Sequence, residues 1–483
     1  MLSSHAHIAF SKFDTITIWN VILKKITPTR PAVKRPNLLL RALFAIIIVQ
    51  AFLLGQLQAQ VTQNNLSSGQ TLEDFFSSAI NFNPRLKVAR GQLDVSSARL
   101  DVANGQLLPQ INANANLSDN RRTSLNQLQE FDGNRYAIQL RQILFNWQAF
   151  AERGAANLRQ EIAEVTYFGE LGALLAGVSD SYFNLLLAQD SLDSIAAELD
   201  AVKNQLSQIE QLYSKQLVKI TDLYQAQASA AAIESQKVQL ESEVAIRAET
   251  LAAISGLNPI NIFTLKSDVA LPMPKEDLHY WVTEAKKNSH AILANTLEVN
   301  VAEKNISSRR GAQLPQVSLI LQRQDSDVGF DNMPMNRIDN SYIGLDITVP
   351  LYAGGSTRAG VREAISLREI ATSELQQTEL ETNQKIRSAY LQLQASQAII
   401  SASHRFLESA ELSATAMQRG FELNAVTSVD VLNALRDQFK AQRDLQEAKY
   451  NHIRTLLTLK QEAGLLSADD LLEISAWLEP SEN

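Results

Sequence analysis

Apolar residues recur at every seventh position through part of the first half of the chain, and this spacing predicts a long coiled-coil helix. The first row of the pattern is Leu185, Leu192, Leu199, Leu206 and Tyr213. The second row follows three residues later each time and consists of Ala188, Ile195, Val202 and Ile209. Two apolar rows kept over several heptads force a helix to supercoil against partner helices.

The helical pattern extends well beyond these rows and is free of proline. It covers residues 148–214 and resumes over Ile220–Ser255, so the first helix alone would be about 100 Å long. Small residues occupy the opposite face: Gly169, Gly172, Ala173, Ala176 and Gly177. Because small residues let helices approach closely, we expect neighbours on two sides, as in the wall of a helical barrel. A two-sided bundle of the spectrin type is the alternative.

Other regions alternate between apolar and polar residues. After Pro109 the apolar positions alternate with Asn and Ser, and they are Ile111, Ala113, Ala115 and Leu117. In the second half of the chain, one face carries Ile343, Leu345, Ile347 and Val349. Alternation over about 9–11 residues predicts transmembrane β-strands around a polar lumen. A half-buried sheet of a soluble protein shows the same pattern.

Two weaker strands complete a pair of hairpins. One starts at Val317 and the other at Tyr136, whose register shifts near Gln142. The polar residues 119–135 and 325–340 are expected to be links outside the membrane. Four strands cannot close a barrel and an open sheet edge is not tolerated in lipid, so a membrane barrel would be shared between subunits.

Residues 277–465 repeat residues 71–257, so each copy contains one of the two β-hairpins and one pair of long helices. Tyr182 matches Tyr390 and Gly256 matches Gly464, both 208 residues later. A duplication of this length predicts two copies of one structural unit. In each copy the long helices turn over a short polar link, and an aspartate follows it, Asp222 in the first and Asp430 in the second. Thr or Ser caps and a first-turn Asp favour the start of a helix.

Composition excludes several classes of function. The chain has no cysteine, which excludes disulfides, thiolate catalysis and zinc–thiolate sites, and its six histidines are scattered. Carboxylates lie along rods without a cleft, so we expect no enzyme, no cofactor and no metal. Residues 1–59 carry seven Lys or Arg and one Asp. Subtracting their +6 from the net charge of −8 leaves −14, which argues against nucleic acid as a partner.

The N-terminal segment is typical of an export signal. Basic residues precede the apolar stretch 42–54, and cleavage is expected after Ala59. The apolar stretch has only thirteen residues, fewer than the about 20 that a membrane-spanning helix needs.

Several short motifs, together with the repeat, resemble the TolC family of outer-membrane channel proteins over residues 70–466. They are Asn83-Pro84, Leu107-Leu108-Pro109, Gln313-Leu314-Pro315 and Pro350-Leu351-Tyr352-Ala353-Gly354-Gly355. The resemblance implies a mainly α protein with a small transmembrane β part. In a homotrimer, four strands per chain would form a 12-stranded barrel, continued by a long α-helical coiled-coil barrel.

The resemblance also implies a function and a domain division. The protein would be the exit duct of a tripartite efflux pump or a type I secretion system in the bacterial outer membrane, in contact with its lipid. Its partners would be a periplasmic adaptor and an inner-membrane transporter. The expected parts are a signal and extension (1–59), a first repeat (60–266, hairpin 109–146, helices 147–256), a second repeat (267–466, hairpin 315–352, helices 356–463) and a tail (467–483).

The family often closes its periplasmic end by contacts between helix tips. By this resemblance the pore constriction would comprise Asp222, Phe421, Asp430 and Asn433. Phe421 stands where a Tyr is often found, Asn433 where a second Asp is expected, and Val426 where an Arg often pairs with the Asp. Asp430 is therefore either a pore-ring residue or a plain helix-start residue. The alternative function is a periplasmic coiled-coil adaptor, which would usually carry one helical hairpin flanked by compact β domains.

Overall fold

The computed structural model describes residues 69–480 except 125–126, 267–268, 330–332 and 424. The expected signal segment and its cleavage site lie outside the described residues. The first half contains, in order, α1 (Leu72–Phe82), α2 (Pro84–Gln106), β1 (Gln110–Ser124), β2 (Gln127–Phe145), α3 (Trp147–Ser214), α4 (Ile220–Ser255) and β3 (Thr264–Leu265). The second half contains α5 (Leu278–Asn288), α6 (His290–Gly311), β4 (Gln316–Val328), β5 (Pro334–Thr348), α7 (Ser356–Glu422), α8 (Ser428–Glu462), α9 (Ala468–Ser475) and β6 (Leu478–Glu479).

The long helices lie side by side and form a wall. In the part of the wall next to the β-sheet, neighbouring helices follow one another in the order α2, α3, α6, α7. In the part next to the helix tips, the order is α4, α3, α8, α7. The heptad prediction is confirmed, because Ile195, Val202 and Ile209 are buried between these helices. Part of α3 is apolar and long enough to cross a bilayer, but more than half of that stretch is buried inside the wall.

The four long strands form one antiparallel sheet in the order β1-β2-β4-β5. Ile111, Leu140, Leu321 and Ile343 stand opposite one another in register, so one apolar row crosses the whole sheet. The expected shift of register near Gln142 is confirmed as an irregularity between Ile143 and Phe145. It returns Phe145 to the apolar face, opposite Val317, and Val317 in turn pairs with Ile347.

The expectation that residues 119–135 and 325–340 are links is wrong. β1 and β2 pair as far as Ser124 and Gln127, and β4 and β5 pair as far as Val328 and Pro334. Cross-strand ion pairs accompany the polar extension. Arg121 bonds to Glu130, Arg323 to Asp339 and Arg337 to Asp325, each at 2.6 Å. Such cross-strand pairs stabilise a strand that has no apolar face, and the alternation of apolar residues along the sequence cannot reveal them.

A belt of short elements surrounds the middle of the helical wall. α1 packs on α3 and α4, α5 packs on α6 and α7, and the C-terminal residues form α9 and β6, with β6 paired to β3. The side chain of Lys460 bonds to Asp470, and Lys266 donates to the carbonyl of Ala476. The segment after residue 466 is therefore joined to the linker between the repeats. The division into the domains named above stays a prediction.

Candidate pore constriction at the helix tips

The first helical hairpin turns between α3 and α4 through a loop with one left-handed residue. Gln216 has a φ of 62°, and the amide of Leu217 donates to the carbonyl of Leu212 at 2.9 Å. This bond satisfies a carbonyl that the end of the helix would leave free. Lys219 precedes the first helical residue of α4 and makes no capping bond with its side chain. Asp222 lies in the first turn of α4, as the sequence predicts.

The second hairpin turns between α7 and α8 and carries a complete capping box. The amide and hydroxyl of Thr427 donate to Oδ2 of Asp430 at 2.9 and 2.6 Å, and Asp430 N donates back to Thr427 Oγ1 at 3.3 Å. The hydroxyl of Thr427 and then its amide lower the pKa of Asp430 below the usual value. The carboxylate is therefore held in its charged form at the tip of the second hairpin.

The four predicted constriction residues have different surroundings. Asp430 and Asn433 are exposed and lie three residues apart on α8, which places them on one face. Asp222 is half-buried and accepts a bond from the hydroxyl of Thr221 at 3.3 Å. Phe421 is half-buried and packs against the apolar cluster where all four long helices meet near the tips. Phe421 thus contributes to the apolar packing of the helix tips, and Asp430 and Asn433 are the two of the four that are exposed.

A set of polar contacts joins α3 to α8, and the sequence pattern did not predict it. The guanidinium of Arg443 bonds to Glu198 at 2.8 Å, and the carboxylate of Glu198 is almost completely buried. The hydroxyl of Tyr450 donates to Asp190 at 2.7 Å. Burial raises the pKa of Asp190 and outweighs the hydrogen bond from Tyr450, which acts in the opposite direction. Glu198 precedes the heptad residue Leu199, and coiled-coil partners often pair at that position, so the heptads held a weak signal for it.

The described residues hold no cluster of three or more His, Asp or Glu side chains that could bind a metal ion. The described structure thus contains a pair of helical hairpins, each with an aspartate in the first turn after its tip, and a β-sheet at the other end. The sequence profile of the outer membrane efflux protein family matches residues 75–257 and 281–465. The chain belongs to this family of outer membrane efflux proteins.

The two matched segments of the efflux family coincide with the two repeats seen in the sequence. Curated relatives include the outer membrane protein TolC of Vibrio cholerae, 27% identical over 88% of this chain and 96% of the relative. The proteases secretion protein PrtF of Dickeya chrysanthemi is 24% identical, over 84% of this chain and 91% of the relative. These efflux and secretion proteins are channels and not adaptors, so the adaptor alternative is wrong.

Solved structures show the same fold. The outer membrane protein VceC of Vibrio cholerae superposes with a TM-score of 0.71 at 18% identity, covering 81% of this chain and 96% of VceC. The CusC structure gives a TM-score of 0.73 at 18% identity, covering 81% of this chain and 92% of CusC. By its family and curated relatives the chain is an outer-membrane channel protein, and this family is one of transport proteins rather than enzymes.

Proposed function

We propose that this chain is one protomer of a homotrimeric exit duct, with its mouth at the helix tips. The observation that carries the proposal is the open four-stranded sheet. β1 and β5 are its outer strands, and each leaves one edge without a partner among the described residues. An open edge is not tolerated in lipid, and three such sheets, joined β1 to β5, would close a barrel of twelve strands.

The two sides of the helical wall support the same assembly. On the α2 side, Val88, Val95 and Val102 repeat every seven residues and are exposed. On the α7 side, Leu367, Ile370, Leu380 and Leu391 are exposed. Apolar stripes on both sides of one protomer suit a head-to-tail ring, because each side can bury the other in the next copy.

The outer face of the sheet supports contact with outer-membrane lipid. Ile343, Leu345 and Ile347 are all more than half exposed and follow one another on the apolar face of β5. The opposite face of β1 carries Asn112, Asn114 and Asn116, which suits a water-filled lumen. Channels of this family function with an adaptor and an inner-membrane transporter. Leu217 and Leu423, exposed at the two hairpin tips, suit contact with a periplasmic adaptor.

The mouth of the duct would be ringed by Asp430, Asn433 and Asp222 from each of three protomers, with Phe421 packed behind them. Because the capping box keeps Asp430 charged, three copies near the axis would attract cations and repel anions. The duct itself is passive: solutes pass when the tips separate. Efflux of small molecules and secretion of proteins both fit this arrangement, since relatives of each kind match the chain along most of its length.

The test is conductance in planar bilayers of the detergent-purified mature chain, wild type beside Asp430→Asn. The proposal expects discrete cation-preferring steps and a weaker preference in the variant. The control is Asp437→Asn, two turns further along α8, which should leave the preference unchanged. Steps that Asp430→Asn does not affect would keep the channel and remove Asp430 from the constriction. A protein that is soluble without detergent and never inserts would refute the duct.

A further inference from the structure

Three contacts between a carboxylate and a side-chain donor join α3 to α8 at different heights above the tips. They are Asp180 with Arg454 at 2.5 Å, Asp190 with Tyr450 at 2.7 Å, and Glu198 with Arg443 at 2.8 Å. In each, α3 supplies the carboxylate and α8 supplies the donor. These contacts define the relative register of the two helices, because ion pairs and hydrogen bonds depend on distance and angle.

The Glu198–Arg443 pair is the contact of the three that lies nearest to the tips. Glu198 precedes the end of α3 by 16 residues, and Arg443 follows the start of α8 by 15 residues. Both therefore lie about 22–24 Å above the tips. Glu198 is 2% exposed and Arg443 is 23% exposed at their side chains, and the guanidinium also lies 3.4 Å from the hydroxyl of Ser194. Leaving Glu198 without its partner would expose a buried charge to an apolar environment.

Between this pair and the tips, the contacts of α3 with α8 change from polar to mainly apolar. On the tip side of Arg443, the hydroxyl of Ser194 donates to the carbonyl of Phe439 at 3.5 Å, one turn along α8, and within the described residues no further hydrogen bond or ion pair joins α3 to α8 towards the tips. The contacts there are apolar, with Ile209, Val431 and Leu435 buried. Two buried polar atoms in this part, Nε2 of Gln205 and Oγ of Ser428, have no hydrogen-bond partner in the described structure. Unpaired buried polar groups disfavour the closed arrangement, and apolar contacts carry no directional preference to hold it.

We propose that the Glu198–Arg443 pair is the clamp at which separation of the helical hairpins stops. The inference rests on the proposed function, because it takes the tips as the mouth of a duct. On the tip side of the clamp, α8 separates from α3 and exposes Gln205. Above the clamp, the two helices keep their register through Asp190 and Asp180. Glu198 and Arg443 are positioning residues that set the equilibrium between a closed and an open mouth.

Thiol labelling tests the clamp, and the chain is suited to it because it has no cysteine. Gln205→Cys reports on the tip side and Ala188→Cys reports above the clamp, and both positions are 6% exposed in the wild type. Labelling by a water-soluble maleimide is measured for each in the wild-type and the Glu198→Gln backgrounds. The clamp predicts that Glu198→Gln speeds labelling of Gln205→Cys by roughly tenfold or more, because the unpaired guanidinium no longer holds α8. Labelling of Ala188→Cys should stay slow.

The matched control is Asp180→Asn, which removes an α3 carboxylate of the same seam about 50 Å above the tips. It should leave both labelling rates at the wild-type level. Three results would overturn a clamp at Glu198. The first is that Glu198→Gln speeds the labelling of both cysteines equally, and the second is that it leaves both labelling rates unchanged. The third is that Asp180→Asn speeds the labelling of Gln205→Cys. If Glu198→Gln does not give the wild-type circular dichroism spectrum, Arg443→Lys replaces it. That variant keeps the charge and shortens the reach, and a smaller acceleration confined to Gln205→Cys is then required.

Conductance of the same variants separates the two proposals. A wild-type chain that never conducts refutes the duct, whereas labelling still reports whether the seam opens at Glu198. A wild-type chain that conducts, with Glu198→Gln opening no more often, refutes the clamp and leaves the duct intact.

Discussion

The face assignment of the β-sheet gives a prediction whose magnitude follows from the register. On β4, Leu319 lies on the apolar face, and it pairs with Leu345 on β5 and with Gln142 on β2. Gln322 lies three residues further along β4 on the opposite face and pairs with Tyr342. In the proposed barrel, Leu319→Arg would place a charge in lipid, whereas Gln322→Arg would place the same charge in the lumen. The two variants therefore have equal net charge and differ in the face that carries it.

The depth of Leu319 in the apolar band determines the expected free-energy cost of the Leu319→Arg substitution. Arg323, paired with Asp339, is the first charged residue on the apolar face of β4, and Leu319 lies four residues below it. Four residues span about 14 Å along a strand, or about 10 Å of depth at a tilt near 45°. Since the apolar band of such barrels is about 25 Å tall, Leu319 lies close to its middle. An arginine there costs about 2–4 kcal/mol per protomer, hence about 6–12 kcal/mol for a trimer.

The assay is guanidinium unfolding in phospholipid vesicles, followed by tryptophan fluorescence and by the heat resistance of the oligomer on gels. Leu319→Arg should lower the unfolding midpoint strongly or prevent insertion. Gln322→Arg should keep a midpoint near that of the wild type and shift bilayer conductance towards anions. Equal damage from the two variants, or a silent Leu319→Arg, would show that the apolar face of this sheet does not face lipid.

Two further predictions concern the belt around the helical wall. Gly464 has a φ of 71°, and a Cβ at this position would collide with the carbonyl oxygen of Asn288. Gly464→Ala should therefore lower the free energy of unfolding by at least about 1–2 kcal/mol in a denaturant titration. The control is Gly105→Ala, where a Cβ meets open space, and it should be neutral or mildly stabilising in the same titration. His452 lies with its Nε2 3.2 Å from the carbonyl oxygen of Pro272, and burial lowers its pKa in the folded chain. Below the unfolded pKa of about 6.5, the unfolded chain therefore binds more protons than the folded chain, and folding loses stability. The melting temperature should therefore fall between pH 7.5 and 5.5, and His452→Gln should reduce that fall; an identical pH dependence in the variant would contradict this account.

The features that the sequence predicted correctly depend only on the spacing of residues within one helix or strand. The seven-residue rows of α3 specify which side chains are buried, and Ile195 and Val202 are buried as expected. The alternation of β5 specifies one apolar face, and Ile343 lies on it. The aspartates Asp222 and Asp430 fall in the first turns of their helices, because a charge near a helix N-terminus acts over one turn of chain.

Other features depended on partners far apart in the chain. The strands continue through the polar residues 119–124 and 127–135 because Arg121 bonds to Glu130 across the hairpin, and the spacing of apolar residues cannot reveal such a pair. The cap of α8 is Thr427 and that of α4 is Lys219, so the identity of a cap depended on where each loop ended.

The tertiary structure alone decided what holds the hairpins together. Glu198 and Arg443 are 245 residues apart, and each has the appearance of an ordinary surface charge on a helix. They meet because the duplicated hairpins pack α3 against α8. The composition and period of the chain determined that long helices and strands with one apolar face form, since both depend on which side chains share a face. The register between helices arises from contacts between distant segments, and only the folded arrangement specifies it.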